Sequence, residues 1–247
     1  MQLEVCIDNL ESLENAEQGG ATRIELCSSL ALGGLTPSFG FMKTAAQRTN
    51  VPIYAMIRPR QGDFLYSKND IESMLIDIES AADANLQGVV FGALDQDGNL
   101  DAKVTQKLIS KAQSLGLGTT FHRAIDQCQK PITAIEQLVD MGCERVLTSG
   151  LASTAVNGVD MLQQMVKVSN SKLAIMAGAG VNAGNIKHIY DATGIEEFHM
   201  SGKSTRKSAM NYVSAQAKMG SNSVDDFLVP TTDANAICEA KQVISRL

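Results

Sequence analysis

Tryptophan is absent from the 247 residues, and the three aromatic types together make up only 4% of them. So few flat rings argue against stacking platforms for single-stranded nucleic acid. Positive charge is also short: 21 Lys and Arg stand against 27 Asp and Glu, a formal net charge of -6. Nucleic acids and anionic membranes demand a basic face, so neither is expected as a partner. No apolar run approaches the roughly 18 residues that a membrane span needs. The opening stretch MQLEVCIDNLESLEN is acidic and lacks a long apolar block, so no secretory signal is expected. The five cysteines, Cys6, Cys27, Cys128, Cys143 and Cys238, are scattered, odd in number and form no CxxC pair. A chain of this length buries enough core to do without disulfides, so free thiols in the cytoplasm are expected. GxSxG, HExxH, Walker and zinc-finger spacings are missing too, and the glycines do not fit GxGxxG. No lysine falls securely on an inner strand face, which leaves a Schiff-base mechanism without a nucleophile.

What is present is rhythm. Strand-like apolar runs recur at intervals of roughly thirty residues, the repeat of a strand–helix unit. They fall at residues 3–7, 24–27, 53–58, 88–94, 118–124, 145–149, 173–177 and 197–201. Segments with helical periodicity lie between them. The clearest follows Asn69, which stands three residues before Glu72 like the start of a capping box, with Ile71, Leu75, Ile78 and Ala82 on one face. Residues 131–141 and 182–192 read similarly, the first opening on a proline that a helix tolerates there. Gly19, Gly116 and Gly142 follow helical stretches, where left-handed caps belong. Eight such units in this length predict an α/β fold, a single (β/α)8 TIM barrel. The competing open, doubly wound sheet usually announces itself with a glycine-rich turn after the first strand; here that turn reads DNLESLENAEQGG. One domain is expected over residues 1–247, with an irregular excursion at about residues 203–232 that carries Lys203, Arg206, Lys207 and Lys218. A lid, an oligomer arm and a plain surface excursion remain open for it.

Side chains alternate across a strand. Leu3, Val5 and Ile7 share one face of the first run, and Glu4, Cys6 and Asp8 share the other. The second run opposes Ile24 and Leu26 to Arg23, Glu25 and Cys27, and the third opposes Ile53, Ala55 and Ile57 to Tyr54, Met56 and Arg58. In a barrel the purely apolar face packs outward on helices, so the mixed face points inward. Glu4, Glu25, His122 and His199 are then candidate acid–base residues on one cavity, with Arg58 among them. The alternative is a polar plug that only balances its own charge. His188 falls in a helix and carries no expected role. Loops at the same barrel end add candidate anion-binding groups. Arg58 and Arg60 form one possible clamp, with Asp63 nearby; the competing reading is a surface salt bridge from Arg60 to Asp63. Arg123, Asp126 and Ser149 follow the fifth and sixth runs. Gly178 and Gly180, and then Ser201 and Gly202, follow the seventh and eighth, where barrels commonly bind phosphate; tight-turn glycines are the alternative.

Six of these segments, RIELCSSLALGGLTPSFG, MIRPRQGDFLYS, FHRAID, RVLTSG, MAGAGV and EFHMSG, together resemble the copper homeostasis protein CutC family, in order over essentially the whole chain. The resemblance implies a (β/α)8 barrel, a cytosolic copper-handling role and a homo-oligomer. It also implies copper ligands at the positions of Cys6 and Cys27. Cu(I) is soft and accepts two thiolates, and neighbouring strands lie ~4.8 Å apart, although barrel stagger can set the two at different heights. The competing reading is a pair of inert buried thiols. Two functions follow as expectations: Cu(I) binding through Cys6 and Cys27, or acid–base chemistry on a small anionic or phosphorylated metabolite.

Overall fold

A computed structural model describes residues 1–212 and 225–247 of the chain. Eight parallel strands close into a barrel in sequence order. They are β1 (Gln2–Ile7), β2 (Arg23–Leu26), β3 (Ile53–Met56), β4 (Gly88–Phe91), β5 (Gly118–Phe121), β6 (Arg145–Thr148), β7 (Ala174–Ala177) and β8 (Glu197–Met200). The helices that cover it are α1 (Leu10–Gln18), α2 (Phe39–Arg48), α3 (Lys68–Asp83), α4 (Ala102–Ser114), α5 (Pro131–Asp140), α6 (Val159–Ser169), α7 (Ile186–Thr193) and α8 (Ala234–Ile244). The protein is therefore a (β/α)8 barrel, as the repeat of apolar runs predicts.

Strand parity divides the hydrophobic residues into two bodies. Leu3, Val5, Ile7, Ile24 and Leu26 join the helices' Leu13, Met42 and Met74 in the outer core. Inside the barrel, Cys27, Tyr54, Met56 and Val90 form a separate small cluster. Nearly every strand position is buried, as a sheet covered on both faces requires.

Two local expectations shift. Helix α3 starts earlier than the Asn69 reading places it: the Ser67 hydroxyl accepts from the Asp70 amide at 3.2 Å, and the Asp70 carboxylate accepts from the Ser67 amide at 2.9 Å. Ser67 and Asp70 hold the three-residue spacing of a capping box, which Asn69 and Glu72 share by coincidence. At the end of α1, Gly19 is right-handed (φ -73°) and the left-handed residue is Gly20 (φ +92°). Gly19 is small because a Cβ there would lie 2.5 Å from that of Ile237 on α8. Gly116 and Gly142 do take left-handed φ.

The excursion begins and ends as an antiparallel ribbon of β9 (Lys203–Lys207) and β10 (Leu228–Thr232), with Lys203 opposite Thr232. The Asp233 amide donates to the Gly202 carbonyl at 2.7 Å and returns the chain to α8. Lys218 lies outside the described residues.

Candidate functional site

The polar interior falls into two levels. At the N-terminal end of the barrel, Arg23 bridges Glu4 and Glu197, the latter at 2.6 Å. Arg145 pairs with the same Glu197 at 3.1 Å and with Glu144 at 3.2 Å. The Tyr54 hydroxyl donates to Glu144 at 3.0 Å, and both guanidiniums sit over its ring. Tyr54 can cross the barrel because β4 and β5 open on glycine: a Cβ on Gly88 or Gly118 would lie 2.2 Å from it. Burial pushes the Glu197 carboxyl up, but Arg23 and Arg145 outweigh it and hold it below its ordinary value. This level is a self-neutralising floor.

The second level lies above it, toward the C-terminal mouth. In the β1–β2 register Cys6 stands opposite Glu25, and β8 brings His199 alongside. His199 Nε2 is 2.9 Å from Glu25 Oε2 and 4.0 Å from Glu4 Oε1. One donor atom each from Cys6, Glu25 and His199 lies within 4.8 Å of the other two. Burial disfavours charge on His199, but the Cys6 sulfur and the Glu25 carboxylate overcome it and raise its pKa well above the ordinary value. Burial likewise pushes the Glu25 carboxyl up, and His199 outweighs it, so its pKa is lowered. Glu25 and His199 are thus a buried carboxylate–imidazolium pair.

His122 sits just past β5, where the backbone leaves the sheet for a short 3₁₀ turn. Its Nδ1 accepts from the Ala124 amide at 3.1 Å, which puts the ring proton on Nε2. Burial first, and the Arg58 charge second, lower its pKa to about 4. His122 is therefore neutral at pH 7. Arg58 is buried, and its terminal nitrogens donate to the carbonyls of Leu32, Gly34 and Gly62 at 2.9–3.1 Å. Among the described residues it makes no ion pair with a carboxylate.

These groups line one cavity of about 210 Å³, with Met56, Phe64 and Leu147 as its apolar wall. A wider space of about 360 Å³ shares Arg58, Phe64 and Arg123 with it and leads outward. A third, of about 230 Å³, lies under the β9–β10 ribbon and meets the first at Cys6 and Leu30. Around the first cavity three buried polar atoms have no partner: Glu25 Oε1, His122 Nε2 and Arg58 Nε.

The other candidates are placed as follows. Cys27 is fully buried; burial first, then the neighbouring Glu25 charge, push its thiol well above the ordinary range. Arg60 pairs with Asp63 at 2.8 Å on the surface, away from the cavity. Arg123 pairs with Asp126 at 2.7 Å and donates to the Ser149 hydroxyl at 3.1 Å. Asp126 also accepts from the Thr148 hydroxyl at 2.6 Å and from the Ser149 amide at 3.1 Å, tying the β5 loop to the β6 loop. A Cβ on Gly178 would lie 2.5 Å from Leu147, and one on Gly202 2.8 Å from Ile237, so both glycines serve packing. Past Gly180 (φ +73°), the Asn182 and Asn185 side chains donate back to its carbonyl. Ser201 lines the ribbon cavity.

Sequence reasoning missed four contributors. Phe64 packs on His122, with ring centroids 4.9 Å apart, and lies under Arg58. Gly92 gives His122 its place, since a Cβ there would lie 2.5 Å from Nδ1. Arg145 and Glu197 complete the floor; strand parity on β6 and β8 was the available signal for both.

The CutC family matches residues 1–204. A family protein CutC of Aliivibrio fischeri (strain MJ11) is 57% identical over 244 residues, 99% of both chains. One of Vibrio vulnificus (strain CMCP6) is 59% identical over 236 residues, 96% of this chain and 94% of that one. A crystal structure described as a copper homeostasis protein CutC from Streptococcus agalactiae aligns with a TM-score of 0.76 at 32% identity, over 81% of this chain and 98% of that one. Thiamine phosphate pyrophosphorylase from Pyrococcus furiosus aligns with a TM-score of 0.60 at 15% identity, over 99% and 96% of the two chains, and shares the fold alone. By the extent and depth of these matches, the chain belongs to the CutC family.

Proposed function

We propose that the mouth cavity is an acid–base site for a small anionic metabolite. The observation that carries this is the pair of unpartnered buried atoms, Glu25 Oε1 and His122 Nε2, on a cavity that also holds the unpaired cation Arg58. A buried polar atom without a partner costs about 1–3 kcal/mol, a cost that a bound ligand removes. A buried guanidinium without a carboxylate favours an anion beside it. Glu25 and His199 supply a proton store, and His122 a fixed donor. Ligand pockets usually span 300–1,000 Å³, so about 210 Å³ points to a small compound. The test is a thermal-shift screen of small carboxylates and phosphates. Stabilisation of the wild type that disappears in Arg58→Ala and His122→Ala supports the reading; a flat screen removes it.

A second reading is Cu(I) carried as cargo through Cys6 and Cys27, which the clustering of Cys6 with His199 favours. A thiolate and an imidazole suit Cu(I), whereas the Glu25 carboxylate is a hard ligand. Cys27 fits less well, since its thiol holds its proton against Glu25. Cu(I) titration under reducing conditions decides: affinity unchanged in Cys6→Ala/Cys27→Ala excludes a thiolate site. Five free cysteines agree with a reducing cytoplasmic setting for either reading. A homo-oligomer is part of the same family reading, and sedimentation equilibrium tests it.

A further inference from the structure

We propose that the cavity enolises a small α-hydroxy carbonyl compound, with His122 Nε2–H and the Arg58 charge at the carbonyl oxygen and Glu25 Oε1 at the α-carbon. The inference rests on the acid–base reading above and names the reacting part of the substrate.

The arrangement of unsatisfied groups carries it. His122 Nε2 and Glu25 Oε1 are both buried and both unpartnered. Both residues line the same cavity and their free atoms are not bonded to each other, so a donor and an acceptor stand open inside one space. A plain carboxylate satisfies the donor but sets its charge against Glu25. A carbonyl whose neighbouring carbon bears hydrogen and hydroxyl satisfies both ends: its oxygen accepts from His122, and its C–H or O–H faces Glu25.

The chain holds each group in the form the step needs. His122 is locked as a donor, because its Nδ1 lone pair is taken by the Ala124 amide at 3.1 Å and its ring is wedged between Gly92 and Phe64. A neutral imidazole can stabilise an enolate oxygen without first giving up a proton. Arg58 cannot swing away, since three backbone carbonyls hold its terminal nitrogens. Glu25 is held from behind by His199 through Oε2 at 2.9 Å, which leaves Oε1 for the substrate.

The step balances without a co-reactant. Glu25 Oε1 takes the α-proton. The C–H electron pair becomes the C=C bond, and the carbonyl π pair moves onto oxygen, facing His122 and Arg58. Return of that proton to the former carbonyl carbon, with the α-hydroxyl proton passing to the former carbonyl oxygen, completes a 1,2-isomerisation; return of a solvent-derived proton from Glu25 to the original carbon completes an exchange.

The experiment is proton NMR of the full chain in D₂O with dihydroxyacetone, dihydroxyacetone phosphate and hydroxypyruvate as probes. Expected is loss of the α C–H signal above the buffer rate, slowed by on the order of 10²–10³-fold in His122→Ala, the loss typical of one oxyanion donor. Glu25→Gln should abolish it. His122→Asn, which retains an N–H donor, should keep more exchange than His122→Ala and serves where the alanine variant fails to fold. No exchange with any probe overturns the inference, as does exchange that survives Glu25→Gln. Thermal stabilisation by the same probes, lost in Arg58→Ala but without exchange, overturns enolisation while leaving an anion site; absence of both removes the two together.

Discussion

The amide of Ala124 donates to His122 Nδ1 at 3.1 Å, two residues away. That short loop-back decides which ring nitrogen faces the cavity, and together with burial it keeps the imidazole neutral down to about pH 4.

The shift has a sign that stability measurements can read. In the unfolded chain His122 should titrate near its ordinary ~6.5. Folding therefore excludes a proton between about pH 6.5 and about 4, so stability is full above this window and falls as pH drops through it, by about 3 kcal/mol in all. Arg58, Glu25 and Asp126 are the charges that act on the ring. His199 is shifted the other way, so its contribution is complete below ~6.5 and is lost as pH rises through its raised pKa. Denaturant midpoints between pH 5 and 6.5 should show a slope that His122→Gln flattens. An unchanged slope in that variant would place the proton elsewhere.

Gly92→Ala should be costly although the change is one methyl. The new Cβ would lie 2.5 Å from His122 Nδ1 and 3.0 Å from the Ala124 Cβ. Overpacking of this kind costs about 1–3 kcal/mol, and the ring must also leave its donor position. Gly40→Ala, in the first turn of helix α2 with nothing within 4 Å, should instead be tolerated without loss of stability. Chemical denaturation of the two variants side by side checks the contrast.

The barrel, its outer and inner faces and most mouth residues were legible because parity and repeat are local properties. Glu4, Cys6, Glu25 and Cys27 could be assigned inward from strands β1 and β2 alone. The strand ends were less clear. Apolar runs 53–58, 88–94 and 118–124 overshoot β3, β4 and β5 because Ile57, Ala93 and Ala124 are buried although they lie past the last strand residues. Division of the polar interior into floor and mouth was not legible. It depends on stagger that joins Arg23 to Glu197 across 174 positions, and on Tyr54 crossing above two glycines. The role of His122 was hidden for a related reason: on an extended strand it reads as a base, and only the turn past β5 occupies its lone pair.

The floor should behave as a unit. Arg23→Met leaves Glu4 only the more distant His199, at 4.0 Å, while Glu197 keeps Arg145. Removing one partner from a buried ion pair costs roughly 3–5 kcal/mol. Adding Glu4→Gln to that background should recover part of the loss by removing the stranded charge. A double-mutant cycle measures the coupling, and additive effects would show that Arg23 and Glu4 do not depend on each other.

Four of the five cysteines should separate by reactivity in the native protein. Cys238 is the only one of them that is partly exposed and should react first with iodoacetamide. Cys6 is 7% exposed and opens on two cavities beside His199, so it should follow. Cys27 and Cys143 are sealed, and burial raises both thiols above their ordinary values, which cuts the thiolate fraction at neutral pH tenfold per unit. Both should stay unlabelled until denaturant unfolds the barrel. Mass spectrometry of timed digests reads the order directly. Labelling of Cys27 before Cys6 would mean that the inner thiol is the accessible one, and would return Cys27 to the position of first ligand in any Cu(I) site.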